Sequence, residues 1–127
     1  RLLLDTHAFL WWIFDNPKLP LSARARITDP TADVFFSTVS AWEIAIKAGT
    51  GRLALPANVA GFVTQQVRAN DFLTLPIQLE HALAVHGLPA IHQDPFDRLL
   101  AAQAQIERLT LLTCDQLVQR YPIDTVW

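Results

Sequence analysis

Four carboxylates in this 127-residue chain sit where they could do chemistry together: Asp5, Glu43, Asp97 and Asp115. Asp5 ends the apolar run Leu2-Leu3-Leu4, and Asp115 follows Leu109-Thr110-Leu111-Leu112-Thr113-Cys114. Asp97 lies three residues past Asp94 in His92-Gln93-Asp94-Pro95-Phe96-Asp97-Arg98, just before an Ala/Leu-rich run. Each acid also has an ordinary duty open to it. Asp94 before Pro95 reads as a helix N-cap. Asp5 and Asp115 read as caps or turn residues, Glu43 completes a capping-box spacing with Ser40, and Asp97 suits a helix dipole. If the four converge, each pair at 4 Å costs roughly 4 kcal/mol at an effective dielectric of about 20. Such a cluster must raise some of its pKa values or hold cations. Oxygen-only ligands with no cysteine and no required histidine suit Mg²⁺ or Mn²⁺. A carboxylate-held ion of that kind, keeping several waters, is the usual engine of phosphodiester hydrolysis.

The elements that would position these acids can be read from the apolar pattern. Leu2 to Leu4 is a short buried strand entering the polar turn Asp5-Thr6-His7. Helices are expected at Ala8–Phe14 and Leu21–Ile27, with a second strand at Val34–Phe36. The Ser40/Glu43 spacing predicts a helix starting at Ser40 and running to about Lys47, stopped by Gly49 and Gly51. Asn58 to Asn70 is helical, with Val59, Phe62, Val63 and Val67 on one face. Phe72–Pro76 is a third strand, Leu79–His86 a helix closed by Gly87, and Pro95–Glu107 the central helix. Leu109–Thr113 is a fourth strand, Gln116–Tyr121 a short helix, and Ile123–Trp127 a final strand. Short, fully apolar strands alternating with helices predict a three-layer α/β/α fold with a central, mainly parallel sheet, as one domain over residues 1–127. In open α/β sheets ligands bind at the carboxyl ends of the strands, and right-handed crossovers put those ends on one edge. Asp5 and Asp115 end strands there, and Glu43 and Asp97 lie in first turns of helices that begin there. A third of the chain's 12 acidic residues would then share one rim.

Composition narrows the class. The chain is 51% hydrophobic and 17% charged, which is globular, and its net charge of -2 offers no basic surplus to hold nucleic acid. A polyanion would have to be held by local cations or by metal ions. Cys114 is the only cysteine, which rules out an internal disulfide and points to a reducing, cytoplasmic setting. No apolar run reaches membrane-spanning length and no signal-peptide pattern opens the chain. The chain begins at Arg1 and has no methionine, so an initiator methionine is expected to have been removed or to lie outside this sequence.

The supporting residues are read at the same edge. Thr6, Ser37, Thr38 and Thr113 could orient carboxylates or metal waters, or satisfy backbone ends. Arg98 could contact phosphate or pair with Asp94, and Lys47 stands one turn from Glu43 as an ordinary ion pair. His7 and His92 flank the site as supporting or surface residues, while His81 and His86 read as ordinary helix residues. Cys114 reads as a small buried hydrophobe. Phe9, Trp11, Trp12 and Trp42 read as core or as a partner surface.

Four segments, in order, resemble the PIN domain, with the VapC-like toxins of type II toxin–antitoxin systems as the nearest branch. They are Leu3-Leu4-Asp5-Thr6-His7, Ser37 to Lys47, His92 to Ala104, and Leu112-Thr113-Cys114-Asp115. The resemblance implies a Mg²⁺- or Mn²⁺-dependent endoribonuclease, usually a homodimer, neutralised by a cognate antitoxin. It implies Asp5, Glu43, Asp97 and Asp115 as the acidic quartet and metal ligands. Asp94 is the alternative to Asp97, which is preferred because it comes just before the Leu-Leu-Ala-Ala segment, with only Arg98 between. Thr6, Thr113, Ser37 and Arg98 would support them.

Three other readings compete. A metal-binding regulatory module resembling a response-regulator receiver would need paired acids after the first strand and a late lysine. Here Thr6 follows Asp5, and the only lysines are Lys18 and Lys47. A nuclease of the same chemistry acting on DNA would want extra elements to grip a duplex. A degenerate, binding-only member is disfavoured because all four acids are present.

Overall fold

A computed structural model describes all 127 residues. Five parallel strands form one sheet: β1 (Leu2–Leu4), β2 (Val34–Ser37), β3 (Leu73–Leu75), β4 (Thr110–Leu112) and β5 (Thr125–Val126), in the order β3-β2-β1-β4-β5. Six helices connect them: α1 (Thr6–Ile13), α2 (Leu21–Thr28), α3 (Thr38–Gly49), α4 (Val59–Ala69), α5 (Leu79–Ala84) and α6 (Pro95–Glu107). The three-layer α/β/α reading is what the structure shows.

The centre of the sheet is the most apolar strand. Leu2, Leu3 and Leu4 are all buried, because β1 is covered on both faces. Alternation along the strands sorts the core. Leu2, Leu4, Val34, Phe36 and Leu112 pack with Ala8 and Phe9 of α1, Ala23 and Ile27 of α2, Ile44 of α3 and Val63 of α4. Leu3 and Leu111 face the other way, onto Leu100 and Ala104 of α6. The Ala-rich stretch of α6 lets this helix lie close: Ala101, Ala102 and Ala104 have almost no exposed surface.

The chain winds outward from β1 to β2 to β3, then crosses back through α5 and α6 to add β4 and β5 on the other side. The strand order therefore reverses between β1 and β4, the usual place for a ligand crevice. α1 and α3 begin at the carboxyl edge because each directly follows a strand. α6 begins there too, because it precedes β4 and runs back across the sheet.

Several local expectations are corrected. α3 starts at Thr38, with Ser37 as N-cap accepting from the Val39 N–H at 3.0 Å, and not at Ser40. The apolar strand β2 runs straight into the helix, so the cap falls on its last residue and the Ser40/Glu43 capping box does not form. α3 also runs past the expected stop near Lys47 and through Gly49: Thr50 caps it, and Gly51 takes φ +74, which a side chain would resist. The segment expected as a helix at Gln116–Tyr121 is one 3-10 turn, Val118–Arg120, and a second such turn, Val85–Gly87, follows α5. β3 lies at the sheet edge, with Leu73 exposed. No helix is long and apolar enough to cross a membrane.

Candidate metal centre

Asp5 is the first residue past β1 and the N-cap of α1, accepting from the Ala8 N–H at 2.7 Å. It is buried, and burial raises its pKa; the Thr113 hydroxyl and the Ala8 N–H pull it back, while Asp115 pushes it up. Asp5 thus performs the capping duty and still lies within electrostatic reach of Asp115.

Glu43 sits in the second turn of α3, not the first as expected, because the helix begins two residues before Ser40, and it is buried. Its side chain turns inward: Oε1 accepts from Thr6 Oγ1 at 2.7 Å, and Oε2 pairs with Lys47 Nζ. Thr6 Oγ1 also bonds the Ser40 hydroxyl at 2.9 Å. Lys47 is the expected i, i+4 partner.

Asp97 occupies the first turn of α6. Its pKa is raised to about 7: burial is the main cause, Asp94, Glu43 and Asp5 add to it, and His92 opposes them. Asp94 caps the helix, with Oδ1 accepting from the Phe96 N–H at 2.8 Å and the Asp97 N–H at 3.3 Å. One of its two oxygens is therefore committed to the backbone.

Asp115 follows β4. Oδ1 accepts from the Leu117 and Val118 N–H groups at 2.8 and 3.2 Å, and Oδ2 meets His92 Nε2 at 3.0 Å. Burial pushes this carboxyl up, but the His92 bond and the two N–H groups outweigh it, and its pKa is lowered. His92 Nε2 also lies 3.2 Å from Asp97 Oδ2. Strand ends and helix starts thus bring all four predicted acids into one electrostatically linked group.

Not every supporting residue goes where the sequence suggested. Thr6 and Thr113 are in the group; Thr113 Oγ1 accepts from the Asp115 N–H at 3.1 Å and bonds Asp5. Ser37 is fully buried, capping α3 and donating to Gln103 Oε1, so it serves the backbone and the core. Thr38 accepts from the Ile77 N–H at 3.1 Å. Arg98 makes no ion pair with Asp94. Its guanidinium donates to Pro89 O at 2.8 Å, Val85 O at 3.0 Å and the Tyr121 hydroxyl at 3.1 Å, which ties down the chain before α6. Cys114 is exposed, not buried, because it lies two residues past β4, beyond the buried Thr113.

His92 and His81 do more than the sequence reading assigned them. His92 stands between two of the acids. His81, fully buried on α5, accepts the Gln78 N–H at Nδ1 (2.9 Å) and meets Glu107 at Nε2 (3.0 Å). Glu80, His81 and Glu107 are spaced as a metal site could be. With Nδ1 accepting, however, the neutral ring carries its proton on Nε2, and that proton belongs to Glu107. The signal for His81 was its i, i+3 offset from Gln78 at the start of α5, which makes the reciprocal cap.

Beside Glu43 opens a cleft of about 470 Å³, lined by Thr6, His7, Trp11, Lys47, Arg52 and neighbouring apolar residues. It brings two cationic side chains next to the acidic group in a chain with no basic surplus.

A family profile described as PIN domain matches residues 2–123. No curated protein is matched at the sequence level. Among solved structures, the chain is similar to a protein in DNA-bound VapBC from Salmonella typhimurium, at TM-score 0.74 and 18% identity, covering 99% of this chain and 96% of that one. It is also similar to one in VapBC2 from Rickettsia felis bound to a promoter DNA fragment, at TM-score 0.73 and 15% identity, covering 98% and 96%. A third is in FitAcB from Neisseria gonorrhoeae, at TM-score 0.61 and 19% identity, covering 100% and 97%. These likenesses establish the fold, and the profile match spans all four acids and four of the five strands: the chain belongs to the PIN domain family.

Proposed function

We propose that this chain is a divalent-metal-dependent endoribonuclease, the toxin of a type II toxin–antitoxin pair. The observation that carries the reading is the convergence of Asp5, Glu43, Asp97 and Asp115, in which Asp97 is held protonated up to about pH 7 by burial and by its acidic neighbours. A group that crowded is poised to exchange protons for a cation. Its donors fit a hard ion, since the four acids offer carboxylate oxygens. Asp5, Glu43, Asp97 and Asp115 would hold Mg²⁺ or Mn²⁺, with Asp94 contributing through its uncommitted oxygen at most. When bound, the ion supplies charge neutralisation at the phosphate and acidification of water.

The chain's own residues do the rest. Thr6 and Lys47 hold Glu43 in one orientation, and the backbone at Leu117 and Val118 holds Asp115. Arg52 lines the adjoining cleft and supplies positive charge for the phosphates of a single strand, beside Lys47, whose ammonium already pairs with Glu43. The partners this reading expects are a cognate antitoxin and a second copy of the chain, in the cytoplasm. Exposed Trp42, Ile46, Leu79 and Leu83 are the apolar side chains such partners would cover.

The test is cleavage of a single-stranded RNA pool and its DNA counterpart by purified protein with Mg²⁺, with Mn²⁺ and with EDTA, beside Asp5→Asn. The expected result is metal-dependent RNA cutting that falls to background in the variant. Asn caps helices about as well as Asp, so the fold is retained. Preference for DNA would overturn the substrate assignment, and cutting that survives EDTA would overturn the metal assignment.

A further inference from the structure

We propose that His92 is a positioning residue for the metal-holding acids, a fixed Nε2–H donor to Asp97 and Asp115 and not itself a ligand. The proposal rests on the metal-nuclease reading above and adds a role for a residue outside the acidic quartet.

The tautomer follows from the hydrogen bonds. Nδ1 of His92 accepts the Asp94 N–H at 3.0 Å, so it must present a lone pair. A neutral imidazole then carries its one proton on Nε2. Nε2 lies 3.0 Å from Asp115 Oδ2 and 3.2 Å from Asp97 Oδ2, so that proton is shared between two acceptors. Spacing alone would allow a mixed nitrogen–oxygen metal site here, because these ligand atoms all lie within 4.8 Å of one another. A lone pair on Nε2 for a metal would force the proton onto Nδ1, straight at the Asp94 N–H. The ring cannot serve both without breaking the bond that orients it.

The ring is also anchored from behind. The His92 N–H donates to the Tyr121 hydroxyl at 2.9 Å. Arg98 donates to the same oxygen and to the carbonyls of Pro89 and Val85. The segment before α6 is thereby strapped to the chain beyond β4, with His92 at its tip. Asp115 ends up held at both oxygens, Oδ1 by backbone N–H groups and Oδ2 by His92. A carboxylate fixed in this way need not lose freedom when an ion arrives, which is how groups outside the ligand set tighten a metal site.

Two measurements test this. Ring-nitrogen NMR of His92, assigned by the signal lost in His92→Gln, is recorded without metal and with Mg²⁺. The expected result is a protonated Nε2 and an unprotonated Nδ1 in both; a switch to Nδ1–H on adding Mg²⁺ makes the ring a ligand and overturns the proposal. Calorimetry with Mn²⁺ then compares variants. His92→Ala is expected to weaken binding by about 10- to 100-fold, with most of the loss recovered in His92→Gln, whose amide N–H reaches the Nε2 position. Tyr121→Phe, which cuts the strap and leaves the ring, is expected to fall between wild type and His92→Ala. Wild-type affinity in His92→Ala, or equal weakening in Ala and Gln, overturns the proposal while the metal reading stands. No Mn²⁺ binding by the wild-type chain overturns the metal reading and this proposal with it.

Discussion

Thr6 and Glu43, which are 37 residues apart in the chain, are joined by a 2.7 Å hydrogen bond between Oγ1 and Oε1. The bond ties the first residue of α1 to the second turn of α3, the helices that follow the adjacent strands β1 and β2. It also satisfies a carboxylate that has almost no exposed surface. Thr6→Val keeps the shape and removes the donor, leaving Lys47 as the partner of Glu43. The expected cost is about 2 kcal/mol in urea denaturation, together with weaker metal binding. Thr6→Ser should recover both, since it restores the hydroxyl.

The pH dependence of stability should carry the mark of Asp97. The unfolded chain ionises this group near 3.8, while the native protein keeps the proton to about 7. Between those values the native state binds more protons, so this group lowers stability as pH rises from about 4 to about 7, and the loss is complete above that. Asp97→Asn removes the slope. Without metal, the variant should melt above wild type at pH 8, by on the order of 1–2 kcal/mol after allowance for the partly exposed carboxyl, and close to it at pH 4. With saturating Mg²⁺ the order at pH 8 should reverse, because only the wild type gains binding energy. Thermal melts at the two pH values, with and without the ion, check both signs.

Gln103 is fully buried on α6 and takes the Ser37 hydroxyl at Oε1, while Nε2 lies 3.3 Å from Pro76 O and 3.4 Å from His81 Nδ1. It joins the cap of α3 to the buried histidine of α5. Gln103→Leu matches its bulk but leaves the Ser37 hydroxyl without an acceptor. Equilibrium unfolding should show a loss of about 2 kcal/mol. Ser37→Ala also removes the α3 cap, so the double variant should lose less than the sum of the two singles, a coupling that a double-mutant cycle measures.

Arg98 offers a contrast between a phosphate contact and a strap. Its donors are spent on Val85 O, Pro89 O and Tyr121. Arg98→Lys cannot reproduce that fork and should lower stability by about 1–2 kcal/mol. The dependence of RNA affinity on salt, measured in an Asp5→Asn background, should keep its slope. A shallower slope by about one unit would put Arg98 on the phosphate after all.

The sequence alone determined the parts that rest on local physics. Fully apolar Leu2-Leu3-Leu4 and Leu111-Leu112 read as strands covered on both faces, and Asp94-Pro95 read as a helix start, and the structure forms both. Strand ends and helix starts then placed four acids on one edge, where the structure brings them together. Side-chain direction was decided by tertiary structure. The Ser40/Glu43 spacing suits a capping box, but Thr6 and Lys47 draw Glu43 elsewhere and Ser37 takes the cap. Arg98 stands beside Asp97 in sequence, yet its guanidinium answers to carbonyls of the preceding segment. His92 and His81 looked unremarkable because their partners lie 22 or more residues away or depend on which ring nitrogen a backbone N–H meets. Propensity and periodicity act over a few residues, so they show where a carboxylate sits; what it touches depends on which distant elements the sheet order makes neighbours.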